Sequence, residues 1–444
     1  MSEVVALKSR RSGPKLRIGF LRLTDSAPAI LAQEFGYFAE EGVDAELLEE
    51  PSWANLADKL AYGFLDAAVI VPPLAFAIEL GLRGVSQKLI IPCNISLGGN
   101  TVTLSRQLAA QVRDLASRDG LSLPRALAAC LAGRDAPLPL GIVHAYSTHN
   151  LLLRYWLATG GLEAGRDVRL SVVPPAHAAL ALQSGQIAGF CVGAPWGEIA
   201  ARAGAGATIA TSDDIWRNAP EKAFAVRARW AEENPEGLKG AVRALARAAQ
   251  FCDAPENASY TGALLSRQKY LGVDSHAILS SLPGGAIHQD NLSCFWHCAA
   301  TFPWRSHALW FLRQMARWDL IGGEVELGAL AARVYRTDLY RAAVAPLGIS
   351  VPLADSKTEG AHDTEWQLDA APTPISMGPD RFCDRAVFDT ARAPAAFLGR
   401  RALHALKDQK GPGQQNPKIG AQGPHGSGEG LIGMQPGAGH PRGR

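Results

Sequence analysis

The sequence predicts an α/β fold made of two units, each a parallel sheet covered by helices on both faces. Strand and helix patterns alternate without a break over residues 16–92, and a second alternating series follows over residues 106–222. The chain of 444 residues is longer than one compact core usually needs, and its 47% hydrophobic and 19% charged residues are typical of a globular protein. Strict alternation places ligands outside the carboxyl ends of the strands.

The first unit begins with a strand at 16–20, where apolar residues alternate with Arg17 and Gly19. A helix follows, because Asp25 and Ser26 are residue types that cap helices and Pro28 suits a first turn. The next predicted elements are a strand at 43–47, a helix at 52–62, a strand at 67–71, a helix at 73–81 and a strand at 88–92.

The second unit shows the same alternation after a helical run that starts near Ser105. Its predicted elements are a strand at 138–143, a helix at 147–158, a strand at 168–173, a helix at 176–184, a strand at 187–192 and a helix from Pro195. A return strand at 223–227 precedes a mostly helical part, which we expect to pack on the first unit. The predicted helices there are 235–252, 263–270, 304–318 and 327–345.

These elements divide the chain into segments. We expect a flexible basic N-terminus (1–15), the first part of lobe 1 (16–105), lobe 2 (106–222), and a return to lobe 1 (223–395). Residues 396–444 form a Gly- and Pro-rich basic tail. Because residues 411–444 contain eleven Gly and five Pro, the tail is predicted to be disordered.

The charge distribution argues against direct binding of nucleic acid. The net charge is +2, but residues 1–15 carry +3 and residues 400–444 carry +5, which leaves the body near −6. A nucleic-acid footprint needs basic residues on a folded face. The longest apolar stretch, 67–78, is interrupted by Pro72 and Pro73 and is too short for a membrane span.

Two further patterns bear on location. No apolar segment follows the basic residues of 1–15, so no secretory signal is predicted and a cytoplasmic protein is expected. Seven cysteines occur at long, irregular spacings, which is not typical of a disulfide framework and fits a reducing compartment.

Several motifs occur in a family-specific order. Residues 19–28 and 32–44 resemble the opening of the substrate-binding proteins of nitrate, bicarbonate and sulfonate transporters. Further motifs resembling the nitrate branch are PSWAN at 51–55, RYWLA at 154–158, GAPW at 193–196, IW at 215–216 and SHALWF at 306–311. The resemblance covers about residues 16–395. It implies a two-lobed periplasmic-binding-protein-like fold of type II, with a hinge and a ligand cleft between the lobes.

Within this branch the chain most resembles NasS-type nitrate or nitrite sensors, which lack an export signal. The resemblance implies a protein partner, an RNA-binding antiterminator of the ANTAR type, which the sensor holds without nitrate and releases when nitrate binds. One alternative is the binding component of a nitrate, bicarbonate or sulfonate ABC transporter. A second is an enzyme like the thiamine-pyrimidine synthases, which share the fold but carry a cysteine-rich cluster.

Nitrate is a planar monoanion without protons, so its site needs hydrogen-bond donors, positive potential and a flat apolar wall. Trp53 follows a strand end, next to Ser52 at a predicted helix start where free backbone N–H groups favour an anion. The resemblance assigns a ligand-binding tryptophan to this position. A core tryptophan would give the same local pattern.

A second group of candidates follows the strand at 88–92. The resemblance implies a glutamine close to Asn94, and Gly99 and Asn100 follow within six residues. Glycine would let backbone N–H groups approach the anion, although an ordinary turn is the more common reason for two adjacent glycines. We therefore include Asn94, Gly99 and Asn100 among the candidate ligands.

The turn after the strand at 138–143 contains two histidines. The resemblance places a ligand histidine there, and its alignment leaves His144 and His149 as alternatives. A neutral imidazole donates one hydrogen bond and gains charge only on protonation. One of the two is expected to contact the anion, and the other to be a surface or capping residue.

The third strand end carries Gly193, Pro195 and Trp196, where a strand again leads into a helix start. Trp196 is expected to close the cleft. The transporter proteins carry a lysine downstream of this motif, and only Arg202 was found nearby. This difference leaves the selectivity between nitrate and nitrite open.

No cofactor and no metal ion are predicted. Cys294, Cys298, His288 and His297 are close in sequence, but they lack a second matched pair of ligands. No dinucleotide or Walker A motif and no nucleophile, histidine and acid arrangement was found, so the chain is predicted not to be an enzyme.

Overall fold

The computed structural model describes residues 15–285, 293–322 and 324–391. The predicted flexible N-terminus, apart from its last residue, and the predicted tail at 396–444 lie outside the described residues. No helix in these three ranges combines the length and the apolar character that a membrane span requires.

The structure contains two five-stranded sheets and two small two-stranded sheets. The strands are β1 (Leu16–Phe20), β2 (Ala45–Glu49), β3 (Ala67–Ile70), β4 (Leu89–Leu97), β5 (Asn100–Ser105), β6 (Leu138–Ile142), β7 (Val168–Val172), β8 (Gly189–Gly193), β9 (Gly206–Thr211), β10 (Pro220–Arg227), β11 (Val351–Pro352), β12 (Trp366–Leu368), β13 (Ala370–Ala371) and β14 (Ile375–Met377).

Helices cover both large sheets. They are α1 (Ala27–Glu34), α2 (Tyr37–Glu40), α3 (Trp53–Ala61), α4 (Pro72–Glu79), α5 (Arg106–Asp119), α6 (Leu123–Leu131), α7 (Thr148–Thr159), α8 (Ala178–Gln183), α9 (Trp196–Arg202), α10 (Ser212–Ile215), α11 (Ala228–Glu233), α12 (Pro235–Asp253), α13 (Ala258–Leu265), α14 (Ser275–Leu279), α15 (Arg305–Arg317), α16 (Leu327–Val334) and α17 (Thr337–Val344).

The two large sheets have the same strand order. The first is β2-β1-β3-β10-β4 and the second is β7-β6-β8-β5-β9. In each, three parallel strands are followed by an antiparallel one, β10 in the first sheet and β5 in the second. The predicted α/β class with two units is confirmed. The expectation of wholly parallel sheets is wrong, because β5 and β10 carry the chain between the units and enter the sheets in the opposite direction.

The chain crosses between the sheets at two places. The first is the turn Gly98–Gly99, which joins β4 to β5 with φ values of 72° and 82°, a region that favours glycine. The second lies between α10 and β10. Strand β4 is longer than the strand predicted at 88–92, because it continues to Leu97 by pairing with β10. The crossings fall a few residues before the proposed lobe limits at 105 and 222.

The helical C-terminal part packs on the first unit, as predicted, and also contacts the second. Helix α15 packs against α4 of the first unit and α7 of the second. Trp216, Trp310 and Phe382 form an aromatic cluster there, with 4.7 Å between the Trp216 and Phe382 ring centroids. The helix predicted at 327–345 is divided into α16 and α17. Tyr335 lies between them and stacks on Phe76.

Candidate functional site

A buried group of charged side chains lies where β1 and β10 meet the second unit. The Lys222 ammonium is 2.7 Å from Oδ2 of Asp25 and also contacts Oε1 of Glu221. All three side chains are almost fully buried. Asp25 lies in the single turn of 3-10 helix (Thr24–Ser26) that follows β1, and Glu221 and Lys222 lie on β10.

The second unit supplies polar groups to the same place. Asn100, the first residue of β5, donates from Nδ2 to Oε2 of Glu221 at 2.6 Å. Nε2 of His149, in the first turn of α7, is 3.3 Å from Oε1 of Glu221 without a well-directed hydrogen bond. A Cβ at Gly193 would lie 3.4 Å from both Asn100 Oδ1 and His149 Nε2, so this glycine keeps the backbone of β8 close to them.

Trp53 forms one wall of the group. It is the first residue of α3, and the Ser52 side chain caps this helix by accepting a hydrogen bond from Asn55 N at 3.2 Å. The Lys222 ammonium lies 5.3 Å from the centroid of the indole ring, within the range of a cation–π contact. The ring is therefore held against the only lysine of β10.

Several buried polar atoms of this group have no hydrogen-bond partner among the described residues. They are Thr24 Oγ1, Asp25 Oδ1, Trp53 Nε1, Asn100 Oδ1 and both ring nitrogens of His149. Most buried polar atoms in native proteins are paired, so a cluster of unpaired ones needs an explanation. A small polar ligand or an ordered water would supply such partners. We call these five residues, together with Gly193, Glu221 and Lys222, the cleft cluster. Its eight members are Thr24, Asp25, Trp53, Asn100, His149, Gly193, Glu221 and Lys222.

The protonation states follow from burial and neighbours. Burial lowers the pKa of His149 well below its ordinary value, and the Lys222 charge lowers it further, so this ring is neutral at pH 7. Burial also disfavours the charged form of Lys222, but Asp25 and Glu221 outweigh it and its pKa is raised. For Asp25, burial raises the pKa to about 6, with Lys222 opposing the shift and Glu221 adding to it.

The two candidate histidines have different surroundings. His149 lies in the cleft cluster, whereas His144 contacts Arg83 of the first unit, with 2.8 Å between His144 Nε2 and Arg83 Nη1. Tyr146 N donates to Nδ1 of His144 at 3.0 Å, and Arg83 also donates to Asp58 at 2.7 Å. Burial, reinforced by the Arg83 charge, lowers the pKa of His144 to about 4. His144 thus joins the lobes outside the cluster.

Asn94 and Gly99 lie near the crossing rather than among the cleft cluster. Asn94 donates from Nδ2 to Phe302 O at 3.0 Å, which fastens β4 to the segment before α15. Gly99 accepts a hydrogen bond from Ala194 N at 2.9 Å. A Cβ at Gly99 would lie 2.5 Å from Ser293 Oγ, so the tight turn requires glycine here.

Pro195 and Trp196 stand at the start of α9, beside the first lobe. The Trp196 indole donates to Arg22 O at 3.0 Å, and Thr24 N donates to Ala194 O at 2.9 Å. These bonds hold the lobes together at the cluster. Arg202 lies farther along α9 and pairs with Glu198 at 2.8 Å, so it does not supply the cleft with charge.

Local sequence around Trp196 does not indicate the cation of the site. Lys222 lies 26 residues beyond Trp196, on a strand that returns to the first sheet. Asp25 was interpreted as a helix cap, yet its side chain caps nothing and binds Lys222. The signal in the sequence is an acidic and a basic residue, Glu221 and Lys222, directly before the apolar run at 223–226.

Two other regions do not belong to the cleft cluster. Asp253 accepts hydrogen bonds from the backbone N–H groups of Phe295, Trp296 and His297, and Cys294 lies beside it. His288 is outside the described residues, and within them no three His, Cys, Asp or Glu side chains are arranged to hold a metal ion.

A pocket of about 440 Å³ adjoins Pro195 but is lined by none of the charged residues of the cluster.

The sequence and the fold were compared with those of known proteins. The NMT1-like family pattern matches residues 10–266. The chain is 30% identical over 408 residues to the nitrate/nitrite binding protein NrtA of Synechocystis sp. (strain ATCC 27184 / PCC 6803 / Kazusa), covering 88% of this chain and 85% of that protein. The crystal structure of the periplasmic nitrate-binding protein NrtA from Synechocystis PCC 6803 superposes with a TM-score of 0.74 at 27% identity, over 86% of this chain and 97% of that one.

The periplasmic aliphatic sulphonate binding protein SsuA from Escherichia coli superposes with a TM-score of 0.52 at 17% identity, over 74% of this chain and 99% of that one, and bears on the fold alone. These structures confirm the predicted periplasmic-binding-protein-like fold. Because the family pattern spans more than half of the chain and the similarity to NrtA extends over most of both proteins, the chain belongs to the NMT1-like family and is a homologue of the NrtA nitrate-binding proteins.

Proposed function

We propose that the chain binds nitrate or nitrite in the cleft cluster. The observation that carries this proposal is the set of buried, unpaired polar groups around the Lys222 ammonium, in a homologue of nitrate-binding proteins. Trp53 Nε1 and Thr24 Oγ1 are free donors, and the Trp53 ring offers a flat apolar wall. These are the features that a planar, weakly hydrated anion requires.

The candidate residues divide into two groups. Trp53, Asn100, His149 and Gly193 would surround the anion, with Lys222 supplying the charge that Arg202 does not. The other sequence candidates would act indirectly, by capping α3, fastening β4, shaping the crossing turn or holding the lobes closed. They are Ser52, Asn94, Gly99, His144, Pro195 and Trp196.

We further propose that anion binding serves sensing rather than turnover. The protein would hold an ANTAR-type RNA-binding antiterminator without the anion and release it when the anion closes the lobes, with no direct contact to nucleic acid. A cytoplasmic location is supported by the seven cysteines, all of which are free in the structure. The competing proposal is a transport binding protein, the role that the NrtA relatives suggest.

Titration calorimetry tests the ligand. Nitrate, nitrite, bicarbonate and a sulfonate are titrated separately into the purified chain. We expect one nitrate or nitrite per chain, with weaker or no binding of the other two. If bicarbonate binds and nitrate does not, the proposed ligand is wrong.

A pull-down tests the sensor role. The antiterminator is captured with the chain in the absence and presence of nitrate, and we expect strong recovery only without nitrate. Linkage requires that the partner weaken nitrate binding by the same factor, typically about 5- to 150-fold. Equal recovery in both conditions would favour the transport role. The enzyme alternative is tested separately, by an activity assay with a pyridoxal substrate, and turnover of that substrate would favour it.

A further inference from the structure

The charge balance of the cleft cluster is unusual for an anion site. With both carboxylates ionised, Asp25 and Glu221 outnumber Lys222, so the buried group carries a net charge of −1 before any ligand arrives. His149 is neutral and does not change the sum. Adding a monoanion would place two net negative charges in a site without solvent contact, which is strongly unfavourable.

No other charged residue offsets this excess among the described residues. The groups that act on Asp25 are Lys222 and Glu221, both on β10, and His149 on α7 approaches Glu221 as a neutral ring. Two positively charged residues close in sequence to Asp25 and Trp53 already have acidic partners. Arg22 contacts Glu49 at 3.2 Å, and Lys59 contacts Glu50 at 2.8 Å.

The two carboxylates differ in their capacity to take a proton. Both oxygens of Glu221 already have donors: Oε1 contacts the Lys222 ammonium, and Oε2 accepts from Asn100. Neither oxygen can hold a proton without displacing a donor. Asp25 binds Lys222 only through Oδ2, while its buried Oδ1 has no partner among the described residues. A proton on Asp25 Oδ1 would displace no donor, and Oδ2 would remain in contact with Lys222 as a neutral acceptor.

We infer that Asp25 takes up one proton when the anion binds and that Oδ1–H then donates a hydrogen bond to the anion. The step is a simple protonation: one proton leaves the solvent, Asp25 becomes a neutral acid, and the net charge of the occupied cluster stays at −1. The inference rests on the proposed anion-binding function. It is supported by the pKa of Asp25, which burial raises to about 6, so the carboxylate is mostly ionised at pH 7.5 without the anion.

Calorimetry in two buffers measures the proton directly. Nitrate is titrated at pH 7.5 in phosphate and in Tris, whose ionisation enthalpies differ, and the difference in observed heat gives the protons taken up. We expect about one proton per anion, and an affinity that falls about tenfold per pH unit above pH 7. The Asp25→Asn variant should bind nitrate without proton uptake and with little dependence on pH. The control Asp44→Asn removes an exposed carboxylate and should keep the proton uptake.

Infrared difference spectra, recorded with and without nitrate, provide a second and independent measurement. Nitrate should produce a new carboxylic-acid carbonyl band, which Asp25→Asn lacks. The outcomes are distinct. If no anion binds the wild type, the proposed function fails. If nitrate binds without proton uptake, or if Asp25→Asn keeps the uptake, the function stands and the inference about Asp25 is overturned.

Discussion

Trp53 is the residue in which packing and ligand binding are hardest to separate. Its side chain is 1% exposed and belongs to the hydrophobic core that also contains Leu56 and Leu60 of α3. Its indole N–H is nevertheless unpaired, and the Lys222 ammonium lies 5.3 Å from the centroid of its ring. The ring therefore contributes to stability, while the N–H is available to a ligand. Variants that remove one contribution at a time distinguish them.

Replacing Trp53 by Phe should weaken anion binding without unfolding the protein. The smaller ring keeps an apolar wall but loses the N–H, and a hydrogen bond to a charged group is worth about 1.5–3 kcal/mol. We expect nitrate affinity to fall by roughly 10- to 100-fold in calorimetry. Trp53→Ala should also cost about 3–5 kcal/mol of unfolding free energy. As a control, Trp366→Phe removes an indole N–H that donates to Gly378, remote in sequence from the cluster.

His144 should make the protein sensitive to acid. In the unfolded chain this ring binds a proton below about pH 6.5, but in the folded protein only below about pH 4. Stability from this residue is thus present above pH 6.5 and lost as the pH falls toward 4, on the order of 3 kcal/mol. Urea denaturation between pH 7.5 and 4.5 should show a smaller loss in His144→Gln than in the wild type. Parallel curves would contradict this prediction.

Among the secondary-structure elements, α3 and β10 bring their residues to the cluster in different ways. Helix α3 begins at Trp53 because Ser52 caps it, so the position of the indole depends on local sequence. Strand β10 is inserted between β3 and β4, although about 150 residues separate it from β3. Its register shift between Lys222 and Ala223 accompanies the burial of the lysine.

The Ser52 cap gives a prediction at this scale. Ser52→Ala removes the acceptor for Asn55 N and should lower the unfolding free energy by about 1 kcal/mol, which thermal denaturation detects. Ser52→Asn should restore most of this stability, because asparagine is an equally good cap. Nitrate affinity should remain within a few-fold in both variants. A large loss of affinity in Ser52→Ala alone would instead assign Ser52 to the ligand.

For the whole molecule, the contacts between the lobes determine how easily the cleft opens. The contact of Arg83 with His144 crosses from one unit to the other outside the cluster. Farther away, the hydroxyl of Tyr155 on α7 donates to Asp384 at 2.9 Å, so the C-terminal part also holds the second unit. The contacts that join the two units are therefore distributed beyond the cleft cluster.

Arg83→Ala should weaken nitrate binding by roughly threefold to tenfold, although the residue does not contact the cluster. The reason is that a lost interlobe contact favours the open form, and the anion must then supply the free energy of closing. Calorimetry measures the affinity, and small-angle scattering should show a larger radius of gyration without nitrate. Arg118→Ala, which breaks an exposed pair with Asp119, should change neither. Unchanged scattering in Arg83→Ala would show that this contact does not control opening.

Much of the architecture could be predicted from local pattern. The alternation of strands and helices predicted two α/β units, and Ser52 and Trp53 were correctly placed at a helix start, because caps and periodicity act over a few residues. The pattern was less informative where distant segments meet. The full length of β4 depends on β10, and the break between α16 and α17 depends on the packing of Tyr335 against Phe76.

The sequence by itself determined the fold class, the helix starts and the kind of residues that could bind an anion. Only the tertiary structure decided which of them meet. His144 and His149 are five residues apart, yet α7 buries one in the cluster and leaves the other at Arg83. Lys222 and Asp25 are 197 residues apart and form the charged centre. A local sequence pattern predicts the backbone conformation of the residues that form it. A binding site depends on contacts between distant residues, which form only after the chain has crossed between its two sheets.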